Sequence, residues 1–365
     1  MIPVAFDLRD PDRSGIARVA RSMARAFAAR LDSDPRFDLT LCGPARQLDA
    51  LDARNWSRRP LSIVNWASGR HSPAAQLSWA GVRARTRNAV WFFPHWDVPW
   101  YALPQRYVVM VHDLTLLRVP GATRPDRRWL AERWIRRAVR HAACVVVPSD
   151  ASARDLAVFA PFAASKIRRI PEGVDAAFFD PSPALPADVV EFVGHLPFML
   201  SVGNRKRHKN LHMGVEILSR VPNLRWVLVG EWYPDWEEVS GHAIDAGVAD
   251  RLLLLDPRSD EELRALYGAA AFLLFPSRAE GFGLPVAEAI ACGTPVVCSN
   301  AGSLPEVAGA CATLCDPDDV DAFVAAARST LASRLRQPAP CVERMRAMTW
   351  SASATCLAGI LAEVA

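Results

Sequence analysis

The chain has 365 residues, which is enough for two domains of ordinary size. A hydrophobic content of 51% with 22% charged residues excludes an intrinsically disordered chain. The formal net charge of +4 is mild and indicates no nucleic-acid partner, and the sequence contains no run of about 18 apolar residues that would predict a membrane-spanning helix.

The N-terminal segment is predicted to form the first crossover of a Rossmann-like half. It lacks the cationic start of a signal peptide. Ile2 to Phe6 is predicted as a buried strand and Asp7 to Ser14 as a polar loop, after which Gly15 opens a helix with one apolar face. Gly15 is either a simple helix cap or a point where a ligand approaches the backbone.

Strands and helices then alternate, which predicts a parallel sheet with helices on both faces. Further strands are predicted at Phe37 to Cys42, Leu61 to Val64, Ala89 to Phe93, Tyr107 to Val111 and Ala143 to Val147, with helices at Asp126 to His141 and Ser149 to Phe159. Ligands of open α/β sheets bind at the carboxyl ends of strands. His112 follows such a strand and is therefore a candidate for chemistry, with a purely structural role as the alternative.

Tryptophan is concentrated between residues 54 and 101, where six of the twelve lie. Indole rings bind sugars, lie at membrane interfaces or fill core space. Core packing is the expectation for most of them. Trp96 and Trp100, with His95 beside them, follow a predicted strand and are the best candidates for contact with an acceptor.

The helix predicted near Arg127 to Arg140 carries six arginines and two tryptophans. Such a helix can lie on an anionic membrane surface. The alternative is an ordinary solvated face, which the abundance of arginine throughout the chain favours.

The second half begins after a proline-rich segment, 181–196, that is interpreted as a hinge linker. A strand is predicted at Phe198 to Val202, followed by Gly203 and a loop with four cations, of which Arg205 and Lys209 are two. Cations between a strand and a helix can neutralise a diphosphate. A surface charge run is the alternative.

The stretch Pro276 to Glu306 contains the strongest functional signal. A buried strand, Phe272 to Phe275, precedes it, and Glu280, a glycine loop and a short helix follow, with Pro285 at the helix start and Gly293 at its end. A strand, a glycine loop and a helix N-terminus together form a ready anion site. Glu280 and Glu288 bracket that site, and carboxylates accept hydrogen bonds from vicinal hydroxyls. A nucleotide sugar presents both the diphosphate and the hydroxyls, whereas two exposed acids are the alternative.

The stretch EGFGLPVAEAIACGTPVV, with the GSLPE loop ending at Glu306, resembles the E-x7-E region of retaining glycosyltransferases of the GT-B fold, the large family 4 that uses nucleotide sugars. The resemblance implies an α/β protein with two Rossmann-like domains, each with a parallel sheet, facing an interdomain cleft. The implied domains are an acceptor domain (1–180), the linker (181–196), a nucleotide-sugar domain (197–348) and a C-terminal helix (349–365) that packs back toward the first domain.

The resemblance also implies roles for individual residues. Glu288 is assigned to the ribose hydroxyls, Glu280 to the donor sugar and Lys209 to the diphosphate, while Arg205 substitutes for an arginine that many members carry where this chain has Asn204. VVMVHDLTLLRVP resembles the segment whose histidine, here His112, lies beside the donor sugar and the acceptor. The predicted catalytic residues are His112, Glu280, Lys209 and Arg205, and the predicted donor-binding residues are Gly15, Gly203, Asn204, Asn210, Gly281, Phe282, Gly283, Leu284 and Glu288.

The turn Pro171 to Asp175 resembles the family's P-N-G-V-D, with Glu172 in place of asparagine. We expect this change to matter little, because the turn chemistry rests mainly on Gly173.

The expected reaction is transfer of a hexose, with retention, to a saccharide or lipid-linked acceptor in surface polysaccharide assembly. GDP-mannose is the favoured donor, with another NDP-hexose such as a UDP-hexose as the alternative. No cofactor and no metal are expected, and Asp316 to Asp319 is interpreted as a helix-cap cluster rather than a metal site. The rival classes are a non-catalytic nucleotide-sugar-binding protein and a Rossmann oxidoreductase, which would need more glycines near Gly15.

The eight scattered cysteines form no zinc pattern, and several lie in apolar segments. They indicate a reducing, cytoplasmic setting. Peripheral contact at the inner face of the membrane through the arginine-rich helix remains one of the two interpretations of that helix.

Overall fold

The computed structural model describes residues 1–9, 15–67, 72–119 and 125–365. Most of the predicted polar loop from Asp7 to Ser14 therefore lies outside the described residues. The chain divides into two compact units. The first comprises residues 1–114, 124–173 and 350–365, and the second comprises 115–123 and 174–349.

The first unit contains a seven-stranded parallel sheet in the order β3-β2-β1-β4-β5-β6-β7. Its strands are β1 (Ile2–Asp7), β2 (Phe37–Gly43), β3 (Ser62–Asn65), β4 (Val90–Phe93), β5 (Tyr107–Met110), β6 (Cys144–Val147) and β7 (Ile167–Arg169). The strand order reverses between β1 and β4, which are paired in register from Val4 with Val90. Such a reversal opens a crevice at the carboxyl edge of the sheet.

The helices of the first unit cover this sheet. They are α1 (Gly15–Arg30), α2 (Ala45–Ala50), α3 (Pro73–Arg85), α5 (Pro125–His141), α6 (Asp150–Phe159) and α15 (Trp350–Val364), and the short α4 (Thr115–Arg118) falls in the second unit. Helix α15 packs on α1 through a face that buries Leu357 and Leu361 completely. By length and mean hydropathy alone, residues 339–364 could cross a membrane, but the core helix of a globular protein passes the same test.

The second unit contains a six-stranded parallel sheet in the order β10-β9-β8-β11-β12-β13. Its strands are β8 (Phe198–Val202), β9 (Arg225–Val229), β10 (Leu252–Leu255), β11 (Phe272–Phe275), β12 (Val296–Ser299) and β13 (Thr313–Cys315). Its helices are α7 (Ala187–Val193), α8 (His212–Arg220), α9 (Trp236–Asp245), α10 (Asp260–Ala269), α11 (Leu284–Ala291), α12 (Leu304–Ala308), α13 (Val320–Ser333) and α14 (Ala339–Arg346). The order reverses between β8 and β11, which places a second crevice at their carboxyl ends.

Two features differ from the expectations. The segment interpreted as a linker contains α7, because Val189 and Val193 lie one turn apart and are buried in the core of the second unit. Cys311 and Cys341 form a disulfide across 30 residues of sequence, which departs from the expectation of a reducing setting. The packing of α14 brings the two cysteines together, and their spacing in the sequence does not predict it.

The tryptophan cluster of the first unit fills core space, as expected for most of its members. Trp66, Trp79 and Trp91 are almost completely buried, and their ring centroids lie 5.1–5.7 Å apart. Centroid distances of this size are typical of aromatic pairs that stabilise a core.

Candidate functional site

Lys209 and Glu280 meet at the carboxyl edge of the second sheet. The Nζ of Lys209 donates to Oε1 of Glu280 at 2.6 Å, and the side chains are 14% and 13% exposed. Lys209 follows β8 and Glu280 follows β11, and these strands are neighbours in the sheet. The structure therefore brings together two of the four residues predicted as catalytic.

The loop after β8 directs Lys209 toward that edge. Gly203 has φ +142°, and a Cβ there would lie 3.6 Å from Cε of Lys209. Asn210 follows in the left-handed region with φ 57°, and its side chain donates to the Pro317 carbonyl and accepts from Arg278 Nε. These bonds fix the loop, so that Gly203, Asn204 and Lys209 line one open depression together with Phe275 at the end of β11.

The glycine loop leads from Glu280 into α11. Gly283 caps the helix with φ 100°, a conformation that favours glycine, and Pro285 lies in the first turn as predicted. The Oγ of Ser303 donates to the carbonyls of Glu280 and Phe282 at 3.1 and 2.8 Å. Residues Gly281 to Leu284 are thus held at the N-terminus of a helix, where the partial positive charge favours anions.

Glu288 is buried in the second unit. It is 2% exposed, and the Tyr267 hydroxyl donates to its Oε2 at 3.0 Å. Neither the exposed-acid alternative nor an open ribose-binding carboxylate describes this position. Its assignment to ribose hydroxyls stays a prediction that requires the carboxylate to become accessible.

Arg205 is not among the residues that line the depression with Lys209. It is 6% exposed, its guanidinium donates to the Leu255 carbonyl at 3.1 Å, and it lies 5.6 Å from the ring centroid of Trp236. Burial lowers the pKa of Arg205, and the charge of Asp256 partly offsets this effect. The Arg205 side chain thus packs against Leu255 at the end of β10 and against Trp236, and its catalytic role stays a prediction.

His112 occupies the carboxyl end of β5 in the first unit. Its Nδ1 lies 3.1 Å from Oε1 of Glu172 and its Nε2 lies 2.8 Å from the Pro94 carbonyl. Burial disfavours the imidazolium, but the hydrogen bonds to Glu172 and the Pro94 carbonyl and the charges of Glu172 and Asp113 together outweigh it, so the pKa of His112 is raised.

Glu172 has a contact that the expectation for its turn did not include. Glu172 is 6% exposed and pairs with His112, while Gly173 is not among the glycines with positive φ. The turn therefore does not depend on glycine's freedom in the left-handed region. The substitution of glutamate for the family's asparagine was the one signal in the sequence that could have identified this residue.

Another depression lies in the first unit. It is lined by Asp7, Arg9 and His95, at the carboxyl ends of β1 and β4. Beneath it, Arg9 makes ion pairs with Asp7 at 2.7 Å and with Asp97 at 3.4 Å. The sequence analysis did not identify Arg9, because an arginine in a polar loop gives no sign of burial. Gly15 begins α1, and a Cβ there would meet no atom within 4 Å among the described residues.

The residues predicted to contact an acceptor differ in exposure. His95 is half-buried, and its Nδ1 accepts from the Asp97 backbone at 3.2 Å. Trp96 is 7% exposed, whereas Trp100 is 42% exposed and packs on Trp134. Trp100 therefore exposes more of its surface than Trp96 does. Contact of His95, Trp96 and Trp100 with an acceptor stays a prediction.

The aspartates after β13 act as the predicted helix cap. Asp319 Oδ1 accepts from the Ala322 backbone N–H at 2.9 Å, at the start of α13. Asp316 accepts from the backbone of Asp318, whose side chain pairs with Arg278. These bonds confirm the interpretation of the cluster as a cap.

Comparison with known proteins finds two family models that together match most of the chain. "Glycosyltransferase Family 4" matches residues 13–178, and "Glycosyl transferases group 1" matches residues 188–348. Among curated relatives, the O-antigen chain mannosyltransferase B of Escherichia coli is 30% identical over 60% of this chain and 60% of its own length. The MMP alpha-(1->4)-mannosyltransferase of Mycolicibacterium hassiacum is 32% identical over 56% of this chain and 51% of its own length. The matches thus span about half to three fifths of these relatives.

Solved structures share the fold. Sucrose-phosphate synthase from Thermosynechococcus elongatus has a TM-score of 0.77 at 20% identity and covers 100% of this chain and 99% of its own. Anabaena HepE in complex with UDP-glucose has a TM-score of 0.74 at 16% identity, with both chains covered completely. Two parallel α/β sheets, the matches to both family models and these structural neighbours lead to one conclusion: the chain belongs to the group 1 glycosyltransferases of family 4 and has the GT-B fold.

Proposed function

We propose that the protein is a retaining glycosyltransferase that moves a hexose from a nucleotide sugar to a saccharide or lipid-linked saccharide acceptor in surface polysaccharide assembly. The observation that carries this proposal is the ion pair between Lys209 and Glu280, held beside the glycine loop at the N-terminus of α11. A cation, a carboxylate and a helix N-terminus fit a diphosphate joined to a polyhydroxylated ring.

The proposed step breaks the bond between the anomeric carbon and the phosphate oxygen while the acceptor oxygen attacks from the same face. The leaving phosphate oxygen takes the bonding electron pair and then the proton of the acceptor hydroxyl. Lys209 stabilises the charge that develops on the diphosphate, and Glu280 accepts hydrogen bonds from the transferred sugar. The scheme uses no metal, so transfer is expected to persist in excess chelator.

The favoured donor is GDP-mannose, because two similar relatives are named mannosyltransferases. A UDP-hexose is the rival, because one neighbour of the same fold was solved in complex with UDP-glucose. The two differ only in base and sugar, so a donor panel separates them.

We expect one nucleotide sugar in a panel of GDP-, UDP-, ADP- and dTDP-sugars to raise the melting temperature. A ligand at 100 times its Kd adds roughly 2.7 kcal/mol to the free energy of unfolding. Lys209→Ala should abolish the shift, and transfer to a saccharide acceptor should give a product with the donor's anomeric configuration. No shift with any donor would contradict the proposed function, whereas a shift without transfer would favour the non-catalytic binding protein.

We also propose a cytoplasmic location with peripheral contact at the inner face of the membrane through α5. Trp129 is 61% and Leu130 38% exposed on this helix, next to the exposed Arg127 and Arg128. Exposed apolar and basic side chains on one helix are typical of helices that lie on anionic bilayers.

Binding to vesicles with anionic lipids is expected to weaken by about tenfold or more when Arg127 and Arg128 are both replaced by glutamate, because each arginine near the surface contributes about 1 kcal/mol. The matched control replaces the exposed Arg85 and Arg87 by glutamate, which changes the net charge equally outside α5. Equal binding by both double variants would exclude α5 as the contact.

A further inference from the structure

The buried pair of His112 and Glu172 has no part in the transfer step described above. His112 is 8% exposed and Glu172 is 6% exposed, and they come from loops after β5 and β7. The backbone of the histidine is fixed as well, since the Ser152 hydroxyl on α6 donates to the His112 carbonyl at 2.7 Å. Ring and backbone are thus both held in place.

The partners of the ring determine where its protons are. The Pro94 carbonyl can only accept, so Nε2, 2.8 Å away, must carry a hydrogen. An ionised Glu172 also only accepts, so Nδ1 at 3.1 Å carries a second hydrogen. Where Glu172 is ionised, both nitrogens therefore donate, and the ring is then an imidazolium in which neither nitrogen has a lone pair available to accept a proton.

The charged groups around the ring favour that form. Glu172 faces Nδ1 from the loop after β7, and Asp113 follows the histidine on its own segment; both raise the pKa of His112 against the effect of burial. A carboxylate within hydrogen-bond distance raises the pKa of a histidine, because the opposite charge favours the imidazolium. Asparagine, the residue of the resembled family motif at this position, carries no such charge.

We propose that Glu172 is a positioning residue that holds His112 as a buried imidazolium, so that His112 cannot act as a general base in the reaction. The proposal rests on the proposed glycosyl transfer for its function. The consequence is that the acceptor's proton does not go to His112, which agrees with its transfer to the leaving phosphate oxygen.

Nitrogen NMR of histidine-labelled protein tests the protonation state directly. We expect both ring nitrogens of His112, assigned with a His112→Asn variant, to be protonated in the wild type at pH 7.5 without any donor present. In Glu172→Gln the pKa of His112 is expected to fall by about one to three pH units, because the amide can accept from Nδ1 but carries no charge. A neutral His112 in the wild type at pH 7.5 would overturn the proposal whether or not the protein transfers sugar.

A pH profile separates charge from packing. For Glu172→Gln and Glu172→Asn we expect the alkaline limb of kcat/KM to move to lower pH, with about a tenfold loss at pH 8. Glu132→Gln, which removes a half-exposed ion pair with Arg136 on α5, is the matched control and should leave the profile unchanged. An unshifted profile with a uniformly lower rate in the Glu172 variants would show a merely structural role. If the wild type transferred no sugar, the proposed function would be contradicted. The NMR result would still decide the protonation state of His112.

Discussion

Replacing Lys209 by methionine is expected to lower kcat for sugar transfer by about 10²–10³-fold, which corresponds to about 3–4 kcal/mol of transition-state stabilisation. The ammonium lies at the carboxyl edge of β8 and is the cation that lines the depression with Gly203 and Asn204. Charge on the diphosphate grows as its bond to the sugar breaks, so the variant should lose kcat in addition to the donor binding that Lys209→Ala tests. Methionine keeps the length and apolar stem of lysine, which limits the effect on packing.

The control for this variant is Lys206→Met on the same loop. Lys206 lies over the ring of Tyr233 with Nζ 4.5 Å from the centroid, and it is not among the residues that line the depression. We expect kcat for this variant to stay within about threefold of the wild type, because a cation–π contact between two half-buried side chains outside the depression contributes only about 0.5–1 kcal/mol. Equal losses in the two variants would mean that the loop acts through its total charge and not through Lys209.

The pairing of Lys209 with Glu280 shows what sequence patterns could and could not establish. Each residue was predicted from its own motif, one after a strand and one in a glycine loop. Their contact across 71 residues of sequence depends on β8 and β11 being neighbours in the sheet. A double-mutant cycle with Glu280→Gln would measure that contact, because the charges of the two side chains are coupled.

Strands were predicted best where the apolar run was long and buried. The predicted bounds of Phe272 to Phe275 and Phe198 to Val202 agree with β11 and β8. The edge strands β7 and β13 were not predicted, since each has only three residues, two of β7's residues are exposed arginines and two of β13's residues are exposed. An edge strand needs little apolar sequence because only one of its sides is paired.

The contacts of Arg205 and Glu172 could not be predicted, for the same physical reason. A loop sequence shows that a side chain is charged, but it does not show in which direction the side chain points or which residues it contacts. The guanidinium of Arg205 donates to the Leu255 carbonyl at the end of β10 and lies over the ring of Trp236. Glu172 was interpreted from its own turn, whereas its partner His112 lies 60 residues earlier.

Replacing Arg9 by methionine is expected to reduce the free energy of unfolding by about 3–5 kcal/mol, the cost of removing one partner from a buried ion pair. The guanidinium is 1% exposed and lies between the carboxylates of Asp7 and Asp97, whose side chains are 9% and 1% exposed. It also lies 4.1 Å above the ring centroid of Trp66. Without the guanidinium, the two carboxylates are left close together with little water. Either they repel each other or one of them takes up a proton, and both outcomes destabilise the fold.

The size of this effect depends on burial, and a second arginine of the same unit tests that dependence. Arg36 makes a similarly short ion pair with Asp34 at 2.8 Å, but its side chain is 58% exposed and the carboxylate also bonds Arg30. Arg36→Met should therefore cost about 0–1 kcal/mol in chemical denaturation, against about 3–5 kcal/mol for Arg9→Met. If the two variants lost similar stability, the loss of unfolding free energy in Arg9→Met would not be explained by the burial of its ion pairs. Because Arg9 and Asp7 also line the depression of the first unit, a large loss would mean that stability and the floor of that depression depend on the same charges.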